Sequence, residues 1–367
     1  MPKRFSESCG VLTPYAAPVT TPRALGRPTI RDVADRAGVS ISAASYALNG
    51  RPGVSAATRE RIVAAAEALG WLPDSSARRL ASSRSETIGL VLPTSTADSF
   101  GVAPWFMEFI SGIESVLAER GFGLLLQVVP DRDAELAVYR TWTRSRRVDG
   151  AILVDIAADD PRVAAAPAYG FPVVVAGPPD QAAGLPCVWT DDEAAVGQAV
   201  RYLAALGHRR LARIAGPPEL AHIAARQRAF DRAAADTDLE VSTWTTGFAM
   251  EVVRSAVREI VTTRPRPTAL LFDDDLGAVL ALGVAHEMGI AVPGELSLLA
   301  WDDSLLCRST YPQLSAMSHD VRGYGAHVAR LLFATLEGAE AAVHLDTTPR
   351  ITPRGTTAPP GSGRGAH

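Results

Sequence analysis

Three aspartates in succession, Asp273-Asp274-Asp275, raise the question of a metal site. Successive residues at a strand end point to opposite faces, so three in a row do not converge on one ion, and no metal is expected there. Cys9, Cys187 and Cys307 are far apart without metal spacing, which points to a reducing compartment and no disulfide framework. The chain has no phosphate-binding glycine loop, no G-x-S-x-G and no H-E-x-x-H. The seven His are scattered, and His208 and His286 fall near helix ends, where a structural role is the simpler reading. An enzyme is not expected, and no cofactor is implied. What remains is recognition chemistry, concentrated in residues 29–80.

Those residues must be held by helices. Ile30, Val33, Ala34 and Ala37 recur at three- and four-residue steps, with Thr29 placed as an N-cap. Gly38 breaks that helix in a turn needing positive φ, and Val39 anchors the turn. Ser40 caps a second helix over 41–48, with Ala44, Ala47 and Leu48 inward. Asn49-Gly50 and Pro52-Gly53 form the next loop. Ser55 caps a third helix over 57–69, with Ile62, Val63, Ala66 and Leu69 inward. Two short helices joined this way form a helix-turn-helix, whose second helix enters the DNA major groove. A bland three-helix scaffold is the alternative, and the Ala34–Gly38–Val39–Ser40 spacing weighs against it. Pro73 ends the third helix, and Asp74 or Ser75 caps a short segment bearing Arg78, Arg79 and Leu80, which folds only against a partner.

The net charge of -4 fits DNA binding once it is divided. Residues 27–85 hold nine Arg and five acidic residues, a net of +4, and residues 1–26 carry +2, leaving -10 on residues 86–367. A phosphate-facing domain joined to an acidic body follows. No apolar run has transmembrane length, and the Pro-broken N-terminus lacks a signal peptide's apolar region, so a cytoplasmic protein is expected.

From residue 87 strands alternate with helices. Strands are expected at 88–93, 122–129, 148–156 and 171–177, then at 187–191, 210–216, 241–244, 269–274 and 296–303. Helices fall between them, and a last helix spans 321–337. This order predicts two parallel-sheet lobes with a ligand cleft where strand ends meet. The expected division is a disordered arm (1–26), a helix-turn-helix domain (27–72), a hinge helix and linker (73–85), and a body (86–357). Within the body the N-lobe covers about 86–185 plus a return segment near 317–335, and the C-lobe about 186–316. Composition makes 347–367 look mostly loose, with 358–367 a free tail.

Residues 27–357 resemble the lactose-repressor (LacI/GalR) family of transcriptional regulators. The headpiece carries the resemblance through Thr29-Ile30, Asp32-Val33-Ala34, Ala37-Gly38-Val39-Ser40, Ser45, Leu48-Asn49-Gly50, Val54-Ser55 and Thr58-Arg59; the hinge carries it through Pro73, Ala77-Arg78 and Leu80. In the body it runs through Ser111-Gly112-Ile113-Glu114, Asp149-Gly150, Leu206-Gly207-His208-Arg209-Arg210, Pro267-Thr268-Ala269, Asp275 with Ala278, and Trp301-Asp302-Asp303. The resemblance implies a homodimer or tetramer on pseudo-palindromic operator DNA, with a periplasmic-binding-protein-like body that takes a sugar effector. It makes Ile41, Ser42 and Tyr46 base readers and Leu80 a minor-groove wedge. It places Thr29, Ile30, Ser40, Ser45, Asn49, Ser55, Thr58, Arg59, Ala77 and Arg78 in the DNA-binding set. Tyr46 stands where members often carry Arg, Ala43 and Ala44 where Thr and Val are usual, and Asp74 where Asn is usual.

In the body, Arg226 matches an arginine that contacts effector hydroxyls and Asp275 a cleft aspartate. Arg donates several hydrogen bonds and Asp accepts two, a pairing that suits a polyol. Trp105 and Phe106 match first-lobe cleft residues, and Asp191 matches a crossover or cleft residue. Trp301 and Trp189 lie near strand ends as stacking surfaces. The bland readings are a surface salt bridge for Arg226, helix N-caps for Asp275 and Asp191, and core packing for the aromatics. A ligand-responsive repressor is the leading reading, and a transporter's solute-binding protein, which shares the body but not residues 29–80, is the alternative.

Overall fold

The computed structural model describes residues 28–71, 84–93 and 104–361. The chain forms two compact units, a headpiece up to residue 82 and a body from residue 83. The arm 1–26 and the hinge positions Pro73, Asp74, Ala77, Arg78, Arg79 and Leu80 lie outside the described residues.

The headpiece has three helices, α1 (Ile30–Ala37), α2 (Ile41–Leu48) and α3 (Ala56–Leu69). Each begins where a side chain satisfies a free N–H. Thr29 and Asp32 close a capping box on α1, and the Asp32 carboxyl, accepting hydrogen bonds from the Thr29 N–H and hydroxyl, sits below its ordinary pKa. Ser40 accepts from the Ala43 N–H on α2, and Ser55 from the Thr58 N–H on α3. Gly38 ends α1 at φ 63°, the left-handed conformation the turn requires. Val33, Ala34, Ala44 and Ile62 are fully buried between the helices. Val63, expected inward, is 40% exposed. The inner stripe of α3 is Ile62, Ala65, Ala66 and the half-buried Leu69, and Val63 lies a third of a turn off it.

The body has two six-stranded sheets. Strands β1 (Thr87–Pro93), β2 (Gly123–Val129), β3 (Gly150–Leu153), β4 (Val173–Ala176) and β5 (Cys187–Thr190) build the first lobe, and β11 (Val343–Thr347) returns to it, in the order β11-β5-β4-β3-β1-β2. The second sheet runs β12-β10-β9-β8-β6-β7, from β6 (Arg210–Ala215), β7 (Glu240–Thr245), β8 (Ala269–Phe272), β9 (Ser297–Trp301), β10 (Ser315–Ser318) and β12 (Arg350–Thr352). Every pairing is parallel except β10 with β12. The central strands β1, β3, β4, β8 and β9 are buried on both faces, as helix-covered parallel strands must be.

The first lobe's helices are α4 (Pro104–Glu119), α5 (Arg132–Ser145), the short α6 (Pro161–Ala165) and the returning α12 (Val321–Leu336). The second lobe's are α7 (Asp192–Ala205), α8 (Ala221–Asp236), α9 (Met250–Thr262), α10 (Asp275–Glu287) and α11 (Leu305–Ser309). Where α4 meets α12, a Cβ on Gly112 would overlap the Arg322 carbonyl, and one on Gly325 the Phe109 carbonyl. The two glycines let the helices approach at backbone distance.

Three expectations need correction. Residues 187–191 do not open the second lobe: β5 pairs with β4 through Val175–Cys187 and completes the first sheet. The return to the first lobe begins with α12 at Val321, because residues 317–318 belong to β10 in the second sheet. Nor is 347–361 loose. Thr356 accepts from the Ser315 N–H and donates to the Leu298 carbonyl, both at 2.8 Å, and the Ala358 N–H reaches Ser297 at 3.1 Å. The Thr-rich composition that looked like looseness supplies the hydroxyls that tie this stretch down.

Candidate functional site

On the headpiece, α2 turns Ala44 and Ala47 to the core and leaves Ile41, Ser42 and Tyr46 exposed, with Ser45 half-buried beside them. Ile41 is 42% and Tyr46 44% exposed, two apolar side chains that the fold does not cover. The Arg51 guanidinium lies 6.0 Å from the Tyr46 ring centre, so this exposed face carries a cation beside an aromatic ring. The remaining expected DNA-binding residues have visible structural work. Asn49 donates to the Ser45 carbonyl at 2.9 Å, and the Ser55 and Thr58 hydroxyls are 2.9 Å apart. Arg59 donates to the Ala47 carbonyl at 2.6 Å and the Arg51 carbonyl at 2.9 Å. It closes the carbonyl end of α2 from α3 and thereby fixes the pose of α2. Thr29 caps α1, and Ile30 packs half-buried against the headpiece core. Ala77, Arg78 and Leu80 lie outside the described residues.

In the body a cavity of about 980 Å³ opens between the C-terminal ends of the two sheets. Its wall takes residues just past β1 to β5 on one side, including Asp131, Asp155, Gly177 and Asp191. On the other it takes residues past β6 to β10, namely Pro217, Phe248, Asp274, Asp302 and His319. In both sheets the order reverses here, β1 lying between β2 and β3 and β6 between β7 and β8. Parallel sheets open a crevice at such switch points.

Six of the seven expected cleft residues line this cavity: Trp105, Phe106, Trp189, Asp191, Arg226 and Asp275. Trp105 stacks on Phe109 at 5.0 Å and meets Phe106 edge-on. Asp191 also caps α7, accepting from the Ala194 N–H at 2.9 Å. Arg226 donates to Asp192 at 2.9 Å and to the Asp273 carbonyl at 3.2 Å, which engages two of its five N–H donors. Asp275 accepts from the Ser304 hydroxyl, and its neighbour Asp274, not Asp275, caps α10 by accepting from the Gly277 N–H at 3.1 Å.

Trp301 does not reach the wall. It is 1% exposed beneath Arg226, whose guanidinium lies 3.9 Å from its ring centre. Trp301 is the last residue of β9 and packs in the core with Leu299 and Met317, and the chain leaves the strand at Asp302, which lines the cleft. Asp302 adopts φ 65°. Trp189 does line the cavity. Sequence reasoning missed Asp302, His319 and Phe248, and the signal was available, since each follows a strand's C-terminal end.

The three consecutive aspartates do not alternate as strand residues would, because β8 ends at Phe272 and Asp275 opens α10. Asp273 turns inward to Arg213, which holds both its oxygens at 3.0 and 2.5 Å with both side chains buried. Asp274 and Asp275 stay at the cleft, where burial first and neighbouring carboxylates next push the Asp274 carboxyl up to about 7. Burial likewise raises Asp275 and Asp302 and lowers His319, so its imidazole is neutral near pH 7. Among the described residues no group of three or more His, Cys, Asp or Glu is arranged to hold a metal ion, and no helix is long and apolar enough to cross a membrane.

Comparison with known proteins is consistent with both units. Residues 29–74 match the model for bacterial regulatory proteins of the lacI family, and residues 200–357 that for a periplasmic binding protein-like domain. The HTH-type transcriptional regulator CelR of Thermobifida fusca is 30% identical over 320 residues, covering 85% of this chain and 93% of CelR. The chain belongs to the lacI family. Among solved structures, a transcriptional regulator CelR–cellobiose complex matches this lacI-family regulator at a TM-score of 0.66 and 27% identity, over 90% of this chain and 100% of that one. The lac repressor dimer bound to operator matches at a TM-score of 0.79 over 90% and 99% of the two chains. At 23% identity that match shows the fold alone. The relatives of this regulator are transcriptional regulators, not enzymes.

Proposed function

We propose that this lacI-family regulator is an effector-responsive repressor that binds a pseudo-palindromic operator as a homodimer. The second helix of each headpiece, α2, reads the major groove through Ile41, Ser42 and Tyr46, and Arg78, Ala77 and Leu80 engage the minor groove. A small polar effector, a sugar, occupies the interlobe cleft and changes operator affinity. One observation carries this reading: the cleft sets Arg226 and the carboxylates Asp191, Asp275 and Asp302 against Trp105, Phe106 and Trp189. Donors and acceptors for hydroxyls beside flat apolar faces are what a sugar ring requires. The cellobiose complex of CelR supports the sugar class.

The test is a gel shift on DNA upstream of the protein's own gene, run with sugars that raise its melting temperature. A bound sugar is expected to change operator affinity by about 5–150-fold, and Leu80→Ala to weaken binding and reduce DNA bending. A sugar that binds without changing affinity, or a Leu80→Ala protein that binds and bends DNA unchanged, contradicts the reading. Turnover of any such sugar would favour an enzyme instead.

A further inference from the structure

The balance of charge inside the cleft narrows the effector class, on the reading that the cleft is the effector site. Each arginine on its wall has a carboxylate beside it. Arg226 holds Asp192, Arg132 holds Asp160, and Arg162 bridges Asp160 and Glu135. Arg228, more exposed, stands 3.8 Å from Glu193. On the second lobe's side three wall carboxylates have no such partner. Asp274 accepts one backbone N–H, Asp275 accepts the Ser304 hydroxyl, and Asp302 Oδ1 accepts nothing.

A second feature points to a ligand independently. The His319 side chain is 95% buried, being 5% exposed, lines the same cavity, and its Nδ1 has no hydrogen-bond partner. It stands 3.8 Å from Asp302 Oδ1, too far for a hydrogen bond. Two buried polar atoms facing each other unpaired are unfavourable until a third group serves both. Asp302 accepts, and neutral His319 accepts or donates according to tautomer. A group with several donors satisfies the pair, and a positive charge also relieves the crowding of three carboxylates.

We propose that the effector is a polyhydroxylated amine, such as an amino sugar, whose ammonium group lies against Asp302 and Asp274. Its hydroxyls meet Asp275 and Arg226, and its apolar face meets Trp105 and Phe106. An anionic ligand such as a sugar phosphate is disfavoured, because the carboxylates on the cavity wall outnumber its arginines.

A matched pair of small probes tests this without presupposing a ring stereochemistry. Tris is a polyol bearing a protonated amine, and pentaerythritol is the same skeleton with a hydroxymethyl group in place of the amine. Both are titrated into the full-length protein in phosphate buffer at pH 7, by tryptophan fluorescence and calorimetry. Tris is expected to saturate and to bind about tenfold or more tighter than pentaerythritol. Asp302→Asn and Asp274→Asn, which keep the side-chain shape, are expected to reduce Tris to the pentaerythritol level. No saturable Tris binding, equal affinity for both probes, or variants that leave the gap intact overturns the proposal. A neutral sugar that shifts operator affinity and outcompetes its amino analogue overturns it while the regulator reading stands. Selective Tris binding with no polyol or amine ever altering operator affinity sustains the cleft chemistry and removes the regulator reading.

Discussion

Single side chains in the cleft carry an electrostatic load that the fold itself does not relieve. Asp274 shows it best, because its two roles separate chemically. As the cap of α10 it needs an oxygen that accepts the Gly277 N–H, which Asn supplies as well as Asp. As a carboxylate it is disfavoured by burial and by Asp275 and Asp273, with Arg226 offsetting only part of this. Its carboxyl is raised from 3.8 to about 7 in the folded state, so between those values the native protein holds a proton the unfolded chain has released. Stability therefore falls as pH rises through that window. Asp274→Asn is expected to remove this part of the fall, raising stability at pH 8 by about 1–3 kcal/mol while leaving it unchanged below about pH 4. Melts across pH 4–8 check it, and parallel curves for the two proteins would show that the carboxylate is not uncompensated. Much of this wall was legible in the sequence. Arg226, Asp191, Asp275, Trp105 and Phe106 were found from their matches, whereas the split of Asp273 from Asp274 and Asp275 was not, because β8 ends before all three and strand alternation does not apply there. Asp302 was missed although it sits beside Trp301, because the end of β9 was not located to the residue. One residue of error at a strand end exchanges a core side chain for a cleft side chain.

At the scale of elements, the close crossing of α4 and α12 is the structure's tightest constraint on sequence, and it was not anticipated. Helix patterning identifies the apolar stripes, Phe109 and Ile113 on one helix and Val328 and Leu332 on the other. It does not say which residues sit where two helices touch. Gly325→Ala sets two effects against each other. Helix propensity favours Ala by up to about 1 kcal/mol. The new Cβ meets the Phe109 carbonyl, a backbone atom that cannot rotate away, and such overpacking costs about 1–3 kcal/mol. The overlap is expected to win, lowering the melting temperature. Gly283→Ala, on the exposed face of α10 with open space at its Cβ, is expected to raise it by contrast. Denaturation of both variants decides the matter, and equal stabilisation by both would show that α4 and α12 do not cross at backbone distance. The long elements were read correctly in type because their periodicity extends over several turns or a full buried strand. β10, β11 and β12 were not, because Ser315–Ser318, Val343–Thr347 and Arg350–Thr352 lack the apolar run that marked the equally short β3, β4 and β8.

For the whole molecule, the order of the chain conceals which lobe a segment serves. The chain passes between the lobes three times, after β5, after β10 and after β11. A reading that follows sequence order places β5 with the strands that come after it, yet hydrogen bonding places it with β4 before it. These three crossovers are the covalent routes by which an effector held by residues of both sheets can bias the body between arrangements. If that bias reaches the operator-binding end, thermodynamics requires it to act both ways. An effector that weakens operator binding by some factor must itself bind less tightly to the DNA-bound protein by the same factor, and one that strengthens operator binding must bind it more tightly. The expected outcome is a change of about 5–150-fold in effector affinity when saturating operator is present, equal to the change in operator affinity under saturating effector. Calorimetric titration of the sugar or amino sugar into free and operator-bound protein measures the first, and a gel shift at fixed salt measures the second. Salt must be held constant because residues 27–85 carry a net +4, so operator affinity falls steeply with ionic strength whatever the effector does. Linkage makes the two factors equal wherever the ligand binds, so the outcome that overturns coupling is a factor of one in both titrations. Equal factors that vanish together in Asp302→Asn would place the origin of the coupling in the cleft.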